Sequence, residues 1–190
     1  SMNRPDNWID GQSADEIELR LPDKWIINRL NRAIKNYNKQ MDRFHFNEAA
    51  KVLYDYIWND FCDWYIEIAK TRFYSDDDDS KMITYNICVE SIRKILPLLH
   101  PYTPFITEEL WSFFKIENDK DLIISPLPAI NKSAINEKID NEMNILKDVI
   151  SCVRAVRSRM NIPPSKKIEL KIKSNKNQKN FIDQNNELII

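Results

Sequence analysis

Apolar side chains return at helical spacing in four long runs of this 190-residue sequence, and that periodicity constrains the fold more than any other feature. Ile26, Leu30, Ile34, Tyr37 and Met41 mark the first stripe, with Lys24, Arg29, Arg32, Lys35 and Lys39 on the remaining faces. Leu21-Pro22-Asp23 suits its start, because proline and an acidic residue both favour a first helical turn. The second stripe is Ala50, Leu53, Ile57, Phe61, Trp64 and Ile68, with Asn47 as its expected N-cap. The third holds Ile83, Ile87, Ile92, Ile95, Leu96 and Leu99. It is expected to open at Ser80, after the acidic run Asp76 to Asp79, and to close between Pro97 and Pro101. Thr103-Pro104 starts a short helix through Trp111. A long helix capped by Ser133 then carries Ile135, Ile139, Leu146, Val149, Val153, Val156 and Met160 to a stop at Pro163-Pro164.

Two stretches leave the helical period. Asp121 to Ser125 reads as a short strand, and Lys167-Ile168-Glu169-Leu170-Lys171-Ile172-Lys173 alternates strictly, the pattern of a half-buried strand. One clear strand cannot make a sheet, so the chain is expected to enter an α/β unit without completing it, with one more helix over 177–190. The fold class is therefore mostly α.

The 28 basic and 29 acidic residues nearly cancel, so any nucleic-acid contact must come from local patches. Gly11 is the single glycine of the chain. No Rossmann turn, P-loop or nucleophile elbow can be written without glycine where the backbone meets phosphate or bends sharply. Cys62, Cys88 and Cys152 lack ligand spacing and read as reduced, buried thiols of a cytosolic protein. His45 and His100 have no partner at metal spacing, so no metal site and no catalytic constellation is expected. No apolar run approaches the roughly 20 residues of a membrane span, and Ser1-Met2 opens no signal peptide. That dipeptide reads as a scar of tag removal, which makes the sequence an expected piece of a longer protein.

Trp58-Asn59-Asp60-Phe61-Cys62-Asp63-Trp64-Tyr65-Ile66-Glu67 is unlike an ordinary helix surface. Helical spacing puts Phe61, Trp64, Tyr65 and Ile68 on a core face and Asp60, Asp63 and Glu67 on the polar side. This run, together with Leu21 to Trp25, Phe46 to Ala50, Leu99-His100-Pro101-Tyr102-Thr103-Pro104-Phe105-Ile106-Thr107-Glu108-Glu109-Leu110-Trp111, Arg154-Ala155-Val156-Arg157 and Asn161 to Lys167, resembles the valyl-tRNA synthetases downstream of their catalytic core. The His-Pro to Leu-Trp segment is shared with the isoleucine and leucine class I enzymes. Phe61-Cys62-Asp63-Trp64-Tyr65 is the discriminating part. Trp58, Phe61, Cys62, Asp63, Trp64, Tyr65, Glu67, His100, Pro101, Pro104 and Glu108 are thus family-diagnostic structural residues.

The resemblance implies an antiparallel helix bundle that binds anticodons over 21–130, after a lead-in at 1–20 and before a long helix and truncated α/β region at 131–190 that touches the tRNA body. It also implies tRNA(Val) and a missing catalytic domain of the same polypeptide as partners, with no membrane, and a monomeric, cytoplasmic parent that charges tRNA with valine. ATP and Mg would belong to that domain, with no cofactor in this stretch. The nucleotide-binding motifs of such enzymes are absent, and Ser80-Lys81-Met82 is only an echo of one. Two departures stand out: the Asn-Lys-x-Trp-Asn-Ala-x-Arg-Phe segment is missing upstream, and Leu127-Pro128 replaces a Trp-Pro. An anticodon is read by stacking and hydrogen-bonding its splayed bases while cations hold phosphates. Trp25, Arg29, Arg32, Lys81 and Tyr85 are the expected exposed contacts in the bundle, and Arg154, Arg157, Lys166 and Lys167 form the clearest basic patch. The alternatives are an isoleucyl or leucyl enzyme fragment and a helical protein-interaction module.

Overall fold

The computed structural model describes residues 19–163, 166, 169, 171–173 and 176–188. The lead-in up to residue 18 and Lys167 lie outside them. Two compact units divide the chain at Asn136/Glu137, and each is taken by itself.

In the first unit, α1 (Leu21–Met41) starts where the sequence predicts, with Pro22 in its first turn and the Arg20 N–H donating to Asp23 Oδ2 at 3.1 Å. Ile26, Leu30, Ile34 and Tyr37 are buried as expected, and Trp25 and Ala33 widen the stripe because α1 is covered on more than one side. The helix ends in a Schellman arrangement: His45 N–H reaches Gln40 O and Phe44 N–H reaches Met41 O, both at 2.9 Å. Phe44 takes the left-handed position (φ 60°) that glycine fills elsewhere, as Asn161 does after the long helix (φ 51°).

The second helical stripe is one rod in three sections. α2 (Phe46–Asp55) begins one residue before Asn47, with His45 at the cap position in its place. It runs into a π-helical section, Tyr56–Ile66, and on into α3 (Glu67–Phe73). The π ladder bonds i to i+5 and widens the turn. Tyr56, Asp60, Phe61, Tyr65 and Ala69 consequently face inward, a repeat of four to five residues, while Trp64 and Ile68 are only half-buried. The α-helical spacing assumed for this run is therefore corrected, and Asp60 moves from the solvent face to the core. Stacked rings hold that face: Tyr56 and Phe61 centroids lie 6.3 Å apart, and Phe61 and Tyr65 centroids 6.1 Å.

α4 (Asp78–Leu99) is capped by Asp77, whose Oδ1 accepts from Ser80 N–H at 3.0 Å, so Ser80 is not the cap but a buried third residue. α5 (Pro104–Phe114) packs Trp111 on Leu96 and Leu122. The strand expected at 121–125 is instead a 3₁₀ turn over Leu122–Ile124. Only Leu122 is buried, its N–H reaching both carboxylate oxygens of Glu108, and no neighbouring strand pairs with it among the described residues. Loop 131–136 returns to α1. There Asn28 and Asn31, both buried, bond the backbone of Asn136 and Asn131: Asn28 Oδ1 accepts from Asn136 N–H at 3.0 Å, and Asn31 Oδ1 from Asn131 N–H at 2.8 Å.

In the second unit, α6 (Glu137–Arg159) starts four residues after Ser133, which sits in a separate short turn with Asn131 as its cap. Met143, Leu146 and Ile150 are its buried residues, whereas Val156 and Met160 of the expected stripe are exposed. α7 spans Lys176–Gln184. The strand expected at 167–173 falls partly outside the described residues; Glu169 and Lys171 to Lys173 are described and are not strand.

Candidate functional site

A polar cleft opens along one side of α1, lined by Arg29, Arg32, Asn36, Asp55, Tyr56 and Asp60. Its volume of about 180 Å³ lies below the roughly 300–1,000 Å³ of small-molecule pockets, which suits a single ring system rather than a nucleotide cofactor. Arg29 Nε donates to Asp60 Oδ2 at 2.7 Å, and Asp60 is nearly buried. The π-helical turn brings that carboxylate to α1. Arg32 Nε leans on Asn28 Oδ1 at 3.4 Å, and Asp55 pairs with Lys51 on its own helix at 2.7 Å. The rim thus sets guanidinium donors beside carboxylate acceptors.

Of the residues expected at an interface, Arg29 and Arg32 are the two that line this cleft. Trp25 is corrected outright: at 1% exposure it is a core residue and cannot stack on a base. Lys81 Nζ bonds Asp78 Oδ1 at 3.0 Å in the first turn of α4, with half-buried Tyr85 one turn on. In the second unit Arg154 is exposed on the last turns of α6. Arg157 is turned back: its Nη2 donates to the carbonyls of Pro163 (2.7 Å) and Lys166 (2.8 Å). That guanidinium holds the chain after the helix end, while Lys166 is exposed.

The family-diagnostic residues divide by role. Phe61 and Tyr65 are core, Trp58 and Asp63 are exposed, and Cys62 and Trp64 are half-buried. Burial, and then the neighbouring Asp63 carboxylate, push the Cys62 thiol up. Glu67 is exposed and pairs with Lys70 on its own helix, so of the three acids only Asp60 reaches another element through a contact described here. His100 Nδ1 lies 2.9 Å from Thr107 Oγ1, Pro101 is exposed in the turn, Pro104 opens α5, and Glu108 anchors the Leu122 turn.

Sequence reasoning missed one constellation. Asp23, Tyr65, Arg72 and Ser80 form a sealed network: Arg72 Nη1 bonds Asp23 Oδ1 at 2.7 Å and Oδ2 at 2.8 Å, Tyr65 Oη donates to Asp23 Oδ1 at 2.9 Å, and Arg72 Nε donates to Ser80 Oγ at 2.6 Å. Burial, and then the Asp23 charge, push the Tyr65 phenol well up, so it stays a donor. The available signal was Asp23 itself, which its capping position explained too readily.

Among the described residues no group of three His, Cys, Asp or Glu side chains is arranged to hold a metal, and no helix is long and apolar enough to cross a membrane. The family model for the anticodon-binding domain of tRNA ligase matches residues 23–172. The valine–tRNA ligase of Listeria innocua is 38% identical over 182 residues, covering 93% of this chain and 20% of that protein. The Enterococcus faecalis valine–tRNA ligase is 39% identical over 171 residues, covering 88% of this chain and 19% of its own length. That of Geobacillus stearothermophilus is 39% identical over 168 residues, covering 86% and 19%. The chain spans about a fifth of the length of these relatives.

Proposed function

We propose, since this chain belongs to the family of anticodon-binding domains of tRNA ligases, that it positions the anticodon region of a valine-accepting tRNA within a longer valine–tRNA ligase. The observation that carries this reading is the similarity to valine–tRNA ligases along nearly the whole chain. In the longer protein, ATP and Mg would act in a separate catalytic domain, and the charged product would be valyl-tRNA made by a cytoplasmic monomer. This stretch contributes binding and no bond-making. We assign the anticodon-reading role to residues 21–130 together with loop 131–136. Arg29, Arg32, Lys81 and Tyr85 are the candidate base and backbone contacts there. Arg154, Lys166 and Lys167 are the candidate phosphate contacts, with Arg157 held on the carbonyls of Pro163 and Lys166.

A salt titration of binding to the tRNA transcript tests the reading. Affinity is expected to fall log-linearly with salt, and Arg154→Glu to weaken binding across sequences and flatten the slope by about one counterion. Equal affinity for the valine tRNA and an unrelated tRNA at moderate salt would count against it. Aminoacylation by the longer protein, with valine, isoleucine and leucine offered separately, tests the amino acid directly.

A further inference from the structure

The cleft beside α1 has a feature that general tRNA binding does not require. Arg29 is held by its Nε on a nearly buried carboxylate, and its two terminal nitrogens make no hydrogen bond to a described residue. A guanidinium gripped in this way is a fixed fork, with little rotamer freedom left to lose when it binds. The carboxylate that grips it comes from the π-helical section. Under α-helical spacing Asp60 falls on the outer face with Asp63 and Glu67, whereas the wider turn brings it inward with Phe61 while those two stay exposed. π-helical turns of this kind occur often at functional sites. Asn36, exposed one turn beyond Arg32, adds a side-chain amide to the same cleft. The space suits one ring system, and it is polar where an apolar ligand would want it dry.

We propose that this cleft reads one unpaired anticodon base, with the Arg29 fork donating to two adjacent acceptors on a single base edge and Asn36 flanking them. The inference rests on the functional reading above and deepens it. Adjacent ring-nitrogen and carbonyl acceptors are presented by guanine through N7 and O6, and by cytosine through N3 and O2. Adenine and uracil break the match, since each places a donor beside its acceptor. The anticodon position read by the cleft therefore holds guanine or cytosine.

The test measures binding of the full chain to a panel of valine tRNA transcripts in which each anticodon base is replaced in turn by the other three. Wild-type protein is expected to prefer guanine or cytosine at one position by roughly five- to 150-fold, the worth of a good bidentate contact. Arg29→Lys keeps the charge and removes the fork; it should abolish that preference at that one position and no other. Asn36→Ala, at an exposed site with no fold to disturb, should weaken the same preference at the same position and no other. Two results overturn the pocket alone: wild-type preference for the valine tRNA with Asn36→Ala and a folded Arg29→Lys both reading every position as wild type does, or both variants losing affinity equally for all transcripts. Absence of any wild-type preference among tRNAs would overturn the functional reading and the pocket with it. Which of guanine and cytosine survives at the position identifies the edge that is read.

Discussion

The Asp23–Arg72 and Arg29–Asp60 ion pairs both join α1 to the rod that follows it, and they are built in opposite senses. At the start of α1 the carboxylate belongs to α1 and the cation to α3: Asp23 and Arg72 have side chains 0% and 7% exposed, and Tyr65 and Ser80 complete the set. Six residues on, about 9 Å along the axis, the cation belongs to α1 and the carboxylate to the π-helical section. There Arg29 is 38% exposed, and Asp60 9%. The first pair is closed to solvent, with the Asp23 oxygens accepting from Arg20, Tyr65 and Arg72. The second is closed on one side only. A sealed pair spends its hydrogen bonds on holding the helices in register. A half-open pair uses one partner to hold the other still, and leaves donors facing outward.

Breaking the sealed pair should have the largest effect on stability. Arg72→Ala strands a buried carboxylate, and Asp23→Ala strands a buried guanidinium; each should cost about 3–5 kcal/mol in urea denaturation, because an uncompensated buried charge is far worse than none. Arg72 Nη2 already lacks a partner, so the network has no spare bond to absorb the loss. The double change Asp23→Leu with Arg72→Met should recover most of that cost, since apolar residues of similar volume often replace a buried pair without penalty. A double variant no more stable than either single would mean that the network holds helix geometry that packing alone cannot restore.

Opening the second pair should cost less. Arg29→Ala loses a hydrogen bond to a charged group, about 1.5–3 kcal/mol, and water can reach its side of the cleft. If urea midpoints show Arg29→Ala to be as damaging as Arg72→Ala, the distinction between a sealed and a presenting pair collapses. Its effect on tRNA binding would then be read as unfolding.

Much of this frame was legible in the sequence because it depends on periodicity. The α1 stripe and its proline start, and the body of the helix up to Leu99, follow from apolar spacing, which a single chain segment carries, whereas the cap of that helix falls to Asp77 and not to Ser80. Both ion pairs were hidden, for different reasons. Asp23 had a sufficient local explanation as a first-turn acid, and its true partners are 42 and 49 residues away. Asp60 is misplaced by α-helical spacing because the period itself changes: the turn widens to bury the rings of Tyr56, Phe61 and Tyr65 and leaves Trp58 outside, and no residue type announces a π ladder. Trp25 was read as exposed for a related reason. A stripe drawn one residue wide cannot show that α1 is covered on two sides. The cleft is hidden for the same reasons, since spacing along α1 shows Arg29 and Arg32 only as surface cations and α-helical spacing puts the carboxylate that fixes Arg29 on another face.

The smallest effect is the most local, and it uses the cysteines as reporters of the two environments. Burial, and to a lesser degree the Asp23 carboxylate, push the Cys88 thiol up to about 12. Its folded value thus lies above the ordinary thiol value of about 8.5, so the protonated form is favoured by folding. That contribution is complete below about pH 8.5 and declines as pH rises from there toward 12, because the unfolded chain ionises first. With iodoacetamide at pH 8 the exposed Cys152 should alkylate readily, half-buried Cys62 slowly, and Cys88 only on unfolding. Asp23→Asn, measured on the fraction that remains folded, should make Cys88 only slightly more reactive, since it removes the lesser cause and leaves burial in place. A large acceleration there, with Cys62 unchanged, would show that the sealed pair opens locally when its charge is lost, and that its difference from the half-open pair is one of charge balance rather than of packing.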